Sequence, residues 1–192
     1  MKNGKLTLVL GGTRSGKSSF AEKLAQGLGE RVLYVATATV HDEEMAARVT
    51  QHQERRPVSW FTVEEAKEVA TVLEKYSEAY DVILIDCLTL WLSNLLLDDS
   101  KYPASTWREK EALILLEVEK LASICRDLSA SVIIVSSEVG LGIVPDTSLG
   151  RQFRDLAGAA NQKFAQYANE VYLVLAGLPI ELKALALADQ KV

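Results

Sequence analysis

Residues 11–18 read GGTRSGKS, so that Gly11, Gly16, Lys17 and Ser18 fill the pattern G-x-x-x-x-G-K-[ST], with Gly12, Thr13, Arg14 and Ser15 in the loop. No other stretch constrains the fold as much, because this pattern works only at one kind of junction. Backbone N–H groups must wrap a β-phosphate at a helix N-terminus, so a strand has to deliver the loop and a helix has to leave it. The flanks meet that demand: the apolar run Leu6 to Leu10 leads in, and the amphipathic run Lys17 to Leu28 leads out. Glycine is needed where a side chain would hold the backbone off the phosphate. Lys17 then reaches the β and γ oxygens, and the Ser18 hydroxyl binds Mg²⁺.

Downstream, short apolar runs alternate with longer amphipathic ones, the pattern of strands joined by crossover helices. Strands are predicted at Leu6 to Leu10, Val32 to Ala36, Val82 to Ile85, Val132 to Ser136 and Val171 to Leu175. Helices are predicted at Lys17 to Leu28, about Asp42 to His52, Val63 to Tyr76, Leu88 to Leu97, about Thr106 to Leu128 and about Leu149 to Tyr167. Thr62 and Glu65 stand in capping-box register before the helix from Val63, which makes that helix start the best marked. Runs apolar at nearly every position belong in a parallel sheet covered on both faces. The fold class is therefore α/β, of the P-loop NTPase type, with a mostly parallel sheet and helices on both faces. The polar segment Asp98 to Ser105 reads as an exposed loop, LPIELK after Gly177 as a further edge strand, and Ala184 to Val192 as a fraying tail.

Composition narrows the function. With 192 residues and 48% apolar content, one domain over residues 1–192 can bury a core without disulfides or a structural metal. The 21 basic and 26 acidic side chains leave a net charge of −5, hence no basic field to attract nucleic acid or anionic lipid. Cys87 and Cys125 lie in apolar contexts without C-x-x-C spacing, as buried thiols of a reducing compartment do. No run approaches the roughly 20 apolar residues of a membrane span, so a cytoplasmic location is expected.

A nucleotide bound through Mg²⁺ usually needs a carboxylate at a neighbouring strand end, and VILID places Asp86 there as the Walker B candidate. The competing reading makes Asp86 the N-cap of the helix from Leu88. Thr37 and the run Ser136, Ser137, Glu138 also fall at strand ends, where ligands of open parallel sheets bind. The run ATATVHDEEMAARVTQHQERRP, residues 36–57, bears on the reaction. Its His52 is followed by Gln53, Glu54, Arg55 and Arg56. Either His52 is a solvated residue near a helix C-terminus, or it is a nucleophile attacking a phosphorus whose charge the arginines neutralise. His41 has no such company, and the two histidines lack metal-ligand spacing on one helix face.

These residues resemble the bifunctional adenosylcobinamide kinase / adenosylcobinamide-phosphate guanylyltransferase family over almost the whole chain. The likeness rests on GGTRSGKS, on LYVATA at Leu33 to Ala38 and on DEEMAARVTQHQERRP at Asp42 to Pro57. It extends to the Trp60 and Glu64 pair, EVGLGIVP at Glu138 to Pro145, RQFRDLAGAANQ at Arg151 to Gln162, and the late GLPIELK. The resemblance implies phosphorylation, by ATP or GTP, of the hydroxyl on the aminopropanol arm of adenosylcobinamide. It implies a second reaction that moves GMP from GTP to adenosylcobinamide phosphate through a guanylylated His52. It further implies nucleotide contacts from Ala36, Thr37, Ala38, Gln53, Glu54, Arg55, Arg56, Glu64 and Asp86, with Mg²⁺ at Ser18 and Asp86, and a homotrimer with Leu88 to Leu97 and Ile180 to Leu187 as contact surfaces. Two departures stand out: Gln51 and His52 occupy a position where some relatives carry paired histidines, and Asp86 is shorter than the Glu of some relatives. The alternatives are a plain small-molecule P-loop kinase without a covalent intermediate, and a nucleotide-gated binding module.

Overall fold

A computed structural model describes residues 4–39, 50, 56–103 and 106–189. Seven strands form one sheet: β1 (Leu6–Gly11), β2 (Val32–Ala36), β3 (Phe61–Glu64), β4 (Val82–Asp86), β5 (Ser131–Ser137), β6 (Glu170–Leu175) and β7 (Leu178–Glu181). Their order is β3-β2-β4-β5-β1-β6-β7, parallel throughout except for the β6–β7 hairpin. The connecting helices are α1 (Lys17–Leu28), α2 (Val69–Tyr76), α3 (Leu88–Leu96), α4 (Trp107–Asp127), α5 (Ser148–Tyr167) and α6 (Leu182–Asp189). None of these is long and apolar enough to cross a membrane.

The central strands β1, β2, β4 and β5 are apolar at successive positions because both faces are covered. Leu6, Leu8, Leu33, Ile83, Ile85, Val132 and Ile134 pack against α2, α3, α4 and α5, while Val9, Tyr34, Leu84, Ile133 and Val135 face α1 through Ala21 and Ala25. Alternation on a pleated strand thus splits one apolar run between two cores. The run Leu88 to Leu97, expected as a contact surface between subunits, is mostly spent inside: Leu88, Trp91, Leu92, Leu95 and Leu96 are buried and only Leu97 is well exposed.

Three sequence expectations need correction. The helix from Val63 does not start there, because Phe61–Glu64 is an edge strand paired with β2 and the helix begins at Val69. Phe61 is held on that edge by stacking against Tyr80 at 5.9 Å and tilting against Tyr76 at 5.7 Å. Thr62 therefore caps nothing, and Glu65 instead closes the following turn, its Oε1 accepting from the N–H groups of Lys67 and Glu68 at 2.9 Å. A capping box is formed instead at α4, where Thr106 accepts from Glu109 N and the Glu109 carboxylate accepts from Thr106 N. The loop after Asp98 is anchored by buried Tyr102, not wholly exposed. The late segment gives the expected edge strand, but Leu182–Asp189 continues it as a helix rather than fraying. The helix expected at about Asp42 to His52 lies outside the described residues except for helical Thr50.

Candidate active site

The phosphate loop leaves β1 and enters α1, the junction its sequence demands. Gly16 caps α1 in the left-handed region, φ 93°, and Arg14 has φ 58°. A Cβ at Gly11 would stand 2.5 Å from Ser15 Oγ and 2.8 Å from Val174 O, and one at Gly16 3.2 Å from Gly177 Cα. The glycines thus serve a loop compressed against β6 and the β6–β7 turn, where Gly177 N donates to Ser15 O at 2.8 Å. The first turn of α1 contains no acidic residue and its N-cap offers no side chain, so its leading N–H groups are open to an anion. Lys17 Nζ donates to Gly12 O at 3.1 Å and so lies along the loop, while Thr13 and Arg14 are exposed at its tip. Ser15 Oγ is buried in the loop with no hydrogen-bond partner among the described residues.

Asp86 ends β4 at the same carboxyl edge of the sheet. It is not the cap of α3: that position belongs to Cys87, whose Sγ accepts from Leu90 N at 3.5 Å. Its Oδ2 accepts from Tyr34 Oη at 2.8 Å. Tyr34 is 1% exposed, and burial, reinforced by the Asp86 charge, pushes its phenol far above the ordinary value and keeps it a donor. Burial likewise lifts the Cys87 thiol, to about 12, so it is no nucleophile near neutral pH.

The guanidinium carbon of Arg56 lies 3.5 Å from the Tyr34 ring centroid, and Trp60 stacks against the same ring at 6.3 Å. Arg56 Nε is buried with no hydrogen-bond partner among the described residues. A chain of contacts therefore runs from Arg56, through one phenol, to the Asp86 carboxylate at the end of β4. Arg56, Trp60, Thr62 and Glu64 line a cleft of about 430 Å³, so two of the expected nucleotide contacts share one concavity. Asp86 and the phosphate loop lie along the same carboxyl edge of the sheet, two and four strand steps from β3. Sequence reasoning did not single out Tyr34.

Thr37 follows β2, fully buried, with its hydroxyl donating to Cys87 O at 2.7 Å and accepting from Cys87 N at 2.8 Å. It clamps the backbone after Asp86, and its side chain faces no cleft. Ala36 and Ala38 flank it, with Ala36 O bonded by Glu65 N. Beyond β5, Asn161 on α5 ties Ser136, Ser137 and Glu138 together, while Thr89 on α3 accepts from Ser137 N. His52, Gln53, Glu54 and Arg55 lie outside the described residues. Arg151 bonds Pro145 O and Asp146 O, and Arg154 pairs with Asp155. Among the described residues no group of three or more His, Cys, Asp or Glu could hold a metal ion.

Comparison with known proteins identifies the family. Residues 7–182 match the family described as cobinamide kinase / cobinamide phosphate guanyltransferase. The bifunctional adenosylcobalamin biosynthesis protein CobP of Pseudomonas aeruginosa is 45% identical over 176 residues, 92% of this chain and 96% of that one. The bifunctional adenosylcobalamin biosynthesis protein CobU of Escherichia coli is 40% identical over 181 residues, 93% and 99% of the two chains. Among solved structures, a RadB recombinase aligns with a TM-score of 0.45 and 15% identity over 90% of this chain and 74% of its own. On the family match and the identity to both bifunctional proteins across nearly their full lengths, the chain belongs to the cobinamide kinase / cobinamide phosphate guanyltransferase family.

Proposed function

We propose that this chain, a single P-loop domain over residues 1–192, phosphorylates adenosylcobinamide with ATP or GTP and then transfers GMP from GTP to adenosylcobinamide phosphate through His52. The observation that carries this reading is the contact chain from Arg56 across Tyr34 to Asp86, which ties the segment bearing His52 to the nucleotide edge of the sheet. The nucleotide contacts are Gly11 to Ser18, Ala36 to Ala38, Gln53 to Arg56, Glu64 and Asp86. Within that set Thr37 acts by holding the strand end, since its hydroxyl bonds Cys87, its N–H donates to Asp86 O and its carbonyl accepts from Asn94 Nδ2.

Mg²⁺ fits the residues present. Ser18 and Asp86 offer hard oxygens, and Mg²⁺ asks only one or two such ligands beside phosphate and water. When bound it neutralises charge on the phosphate oxygens. Lys17 does the same from the loop, and Tyr34 fixes the Asp86 carboxylate. The kinase step needs positioning and charge neutralisation but no protein nucleophile. In the second reaction the His52 imidazole bonds to the α-phosphorus of GTP and pyrophosphate leaves. The corrinoid phosphate then displaces histidine from the phosphoramidate. The family likeness supports a soluble cytoplasmic homotrimer, and the net charge of −5 supports the absence of a nucleic-acid partner.

The decisive experiment is incubation with α-labelled or γ-labelled GTP and Mg²⁺. An acid-labile, alkali-stable adduct should form from the α label alone. His52→Ala should abolish the adduct and GMP transfer while retaining much of the kinase activity, whereas Lys17→Ala should depress both by several orders of magnitude, at about 3–4 kcal/mol per lost transition-state contact. An adduct that survives His52→Ala refutes the covalent route and leaves a plain kinase.

A further inference from the structure

The reactions described so far name no group that takes the proton from the substrate hydroxyl. We propose that Glu138 is the general base of the kinase step, an inference that rests on the kinase half of the reading above. Among the described residues, four carboxylates stand at or near the carboxyl edge of the sheet, and the strand order ranks them. Neighbouring strands lie about 4.8 Å apart. Glu64, on β3, is separated from β1 by β2, β4 and β5, which puts it roughly 19 Å across the sheet. Asp86, on β4, has one strand between it and β1 and is already held by Tyr34 as the metal carboxylate. Glu65 has an oxygen committed to the N–H groups of Lys67 and Glu68. Glu138 follows β5, the direct neighbour of β1, and its N–H donates to the carbonyl of Gly11, the first loop residue, at 3.2 Å.

The side chain is built to stay there. Asn161, 5% exposed, donates from Nδ2 to Glu138 Oε1 at 2.8 Å and to Ser137 O at 3.2 Å. The Asn161 Oδ1 accepts from Ser136 Oγ at 2.7 Å, so the amide is fixed on both sides. No ion pair to Glu138 occurs among the described residues, which leaves the carboxylate charge unspent. One oxygen is thus anchored by an amide and the other can accept a proton beside the loop that holds the γ-phosphate. Glu138 takes the hydroxyl proton as the substrate oxygen bonds to the γ-phosphorus. The bond from that phosphorus to its bridging oxygen breaks, the electron pair leaves with the nucleoside diphosphate, and the proton passes to solvent.

The test is Glu138→Gln in the full-length protein, with adenosylcobinamide phosphorylation and His52 guanylylation measured on the same preparation. Glutamine keeps the oxygen that accepts from Asn161 and removes only the basicity. The expected result is a fall of about 100-fold in kinase kcat, the usual scale of general-base catalysis, with the nucleotide KM within about twofold of wild type. Adduct formation, which abstracts no substrate proton, should change by less than about threefold. Glu138→Asp, which keeps the charge one methylene back, should give an intermediate kcat. A kinase kcat within threefold of wild type, an equal fall in both reactions, or an aspartate variant no better than glutamine would each overturn the assignment. Absence of kinase activity in the wild type would instead refute the underlying reading.

Discussion

Tyr34→Phe removes one hydroxyl and leaves the ring under Arg56 in place, so it isolates the hydrogen bond to Asp86. A hydrogen bond to a charged acceptor contributes about 1.5–3 kcal/mol. Asp86 is only half-buried, so water can replace the phenol and the loss belongs at the low end, about 1.5 kcal/mol, or roughly tenfold in an equilibrium constant. Loss of a residue that orients a metal ligand typically costs 10–100-fold in affinity or activity, and the two scales meet near tenfold. Titrating Mg²⁺ at saturating nucleotide should therefore show half-activation at about tenfold higher metal in the Phe variant. Because the phenol is held protonated far above its ordinary value, the deficit should not vary across the usual assay pH. Tyr34→Leu should lose more, since the surface beneath the Arg56 guanidinium goes as well, a cation–π contact of about 0.5–2 kcal/mol. A Phe variant with wild-type Mg²⁺ dependence and wild-type rates would show that Tyr34 is only core packing.

Two further expectations concern stability. Lys67, then Ser100 and the Lys101 N–H, hold the Asp98 carboxyl below its ordinary value of 3.8, so its contribution is complete above about pH 4 and is lost as the pH falls further. Asp98→Asn should accordingly melt below wild type at neutral pH, with the gap closing in acid, and a pH-independent gap would count against the ion pair. Ala176 and Gly177 both have positive φ, 51° and 82°, in the two-residue turn between β6 and β7, the geometry that favours Asn-Gly. Ala176→Asn should raise unfolding free energy by roughly 0.5–1 kcal/mol in a denaturant titration, because Asn tolerates the left-handed region better than Ala, and no gain would argue that the turn is unstrained.

The central parallel strands β1, β2, β4 and β5 were legible in the sequence because burial on both faces writes them as nearly unbroken apolar runs, and the phosphate loop because its chemistry admits few substitutes. The edge strand Phe61–Glu64 was not, since its outer neighbour is solvent and its four residues continue smoothly into a helical pattern. Thr62 and Glu65 fit a capping box in spacing alone, whereas Thr106 and Glu109 satisfy one in hydrogen bonds. Tyr34 sits inside VLYVA and reads as core. The signal that could have found it is register: it lies two residues before the end of β2, on the neighbour of the strand that ends in Asp86. Arg56 drew notice in the sequence through its neighbours, but its stacking on a phenol was not legible, because a guanidinium beside a histidine suggests phosphate first.

The turn at Gly177 leans on a loop whose own residues come more than 150 positions earlier in the chain. During vectorial synthesis the motif residues emerge early, yet the wall that gives the loop its shape arrives only with β6 and the turn after it. Nascent chains halted before Leu175 would carry every residue of the phosphate-binding signature without the surface that compresses it. Capture on immobilised nucleotide should then report completion of the sheet rather than mere presence of the motif, and would sort finished molecules from arrested ones on a translating ribosome.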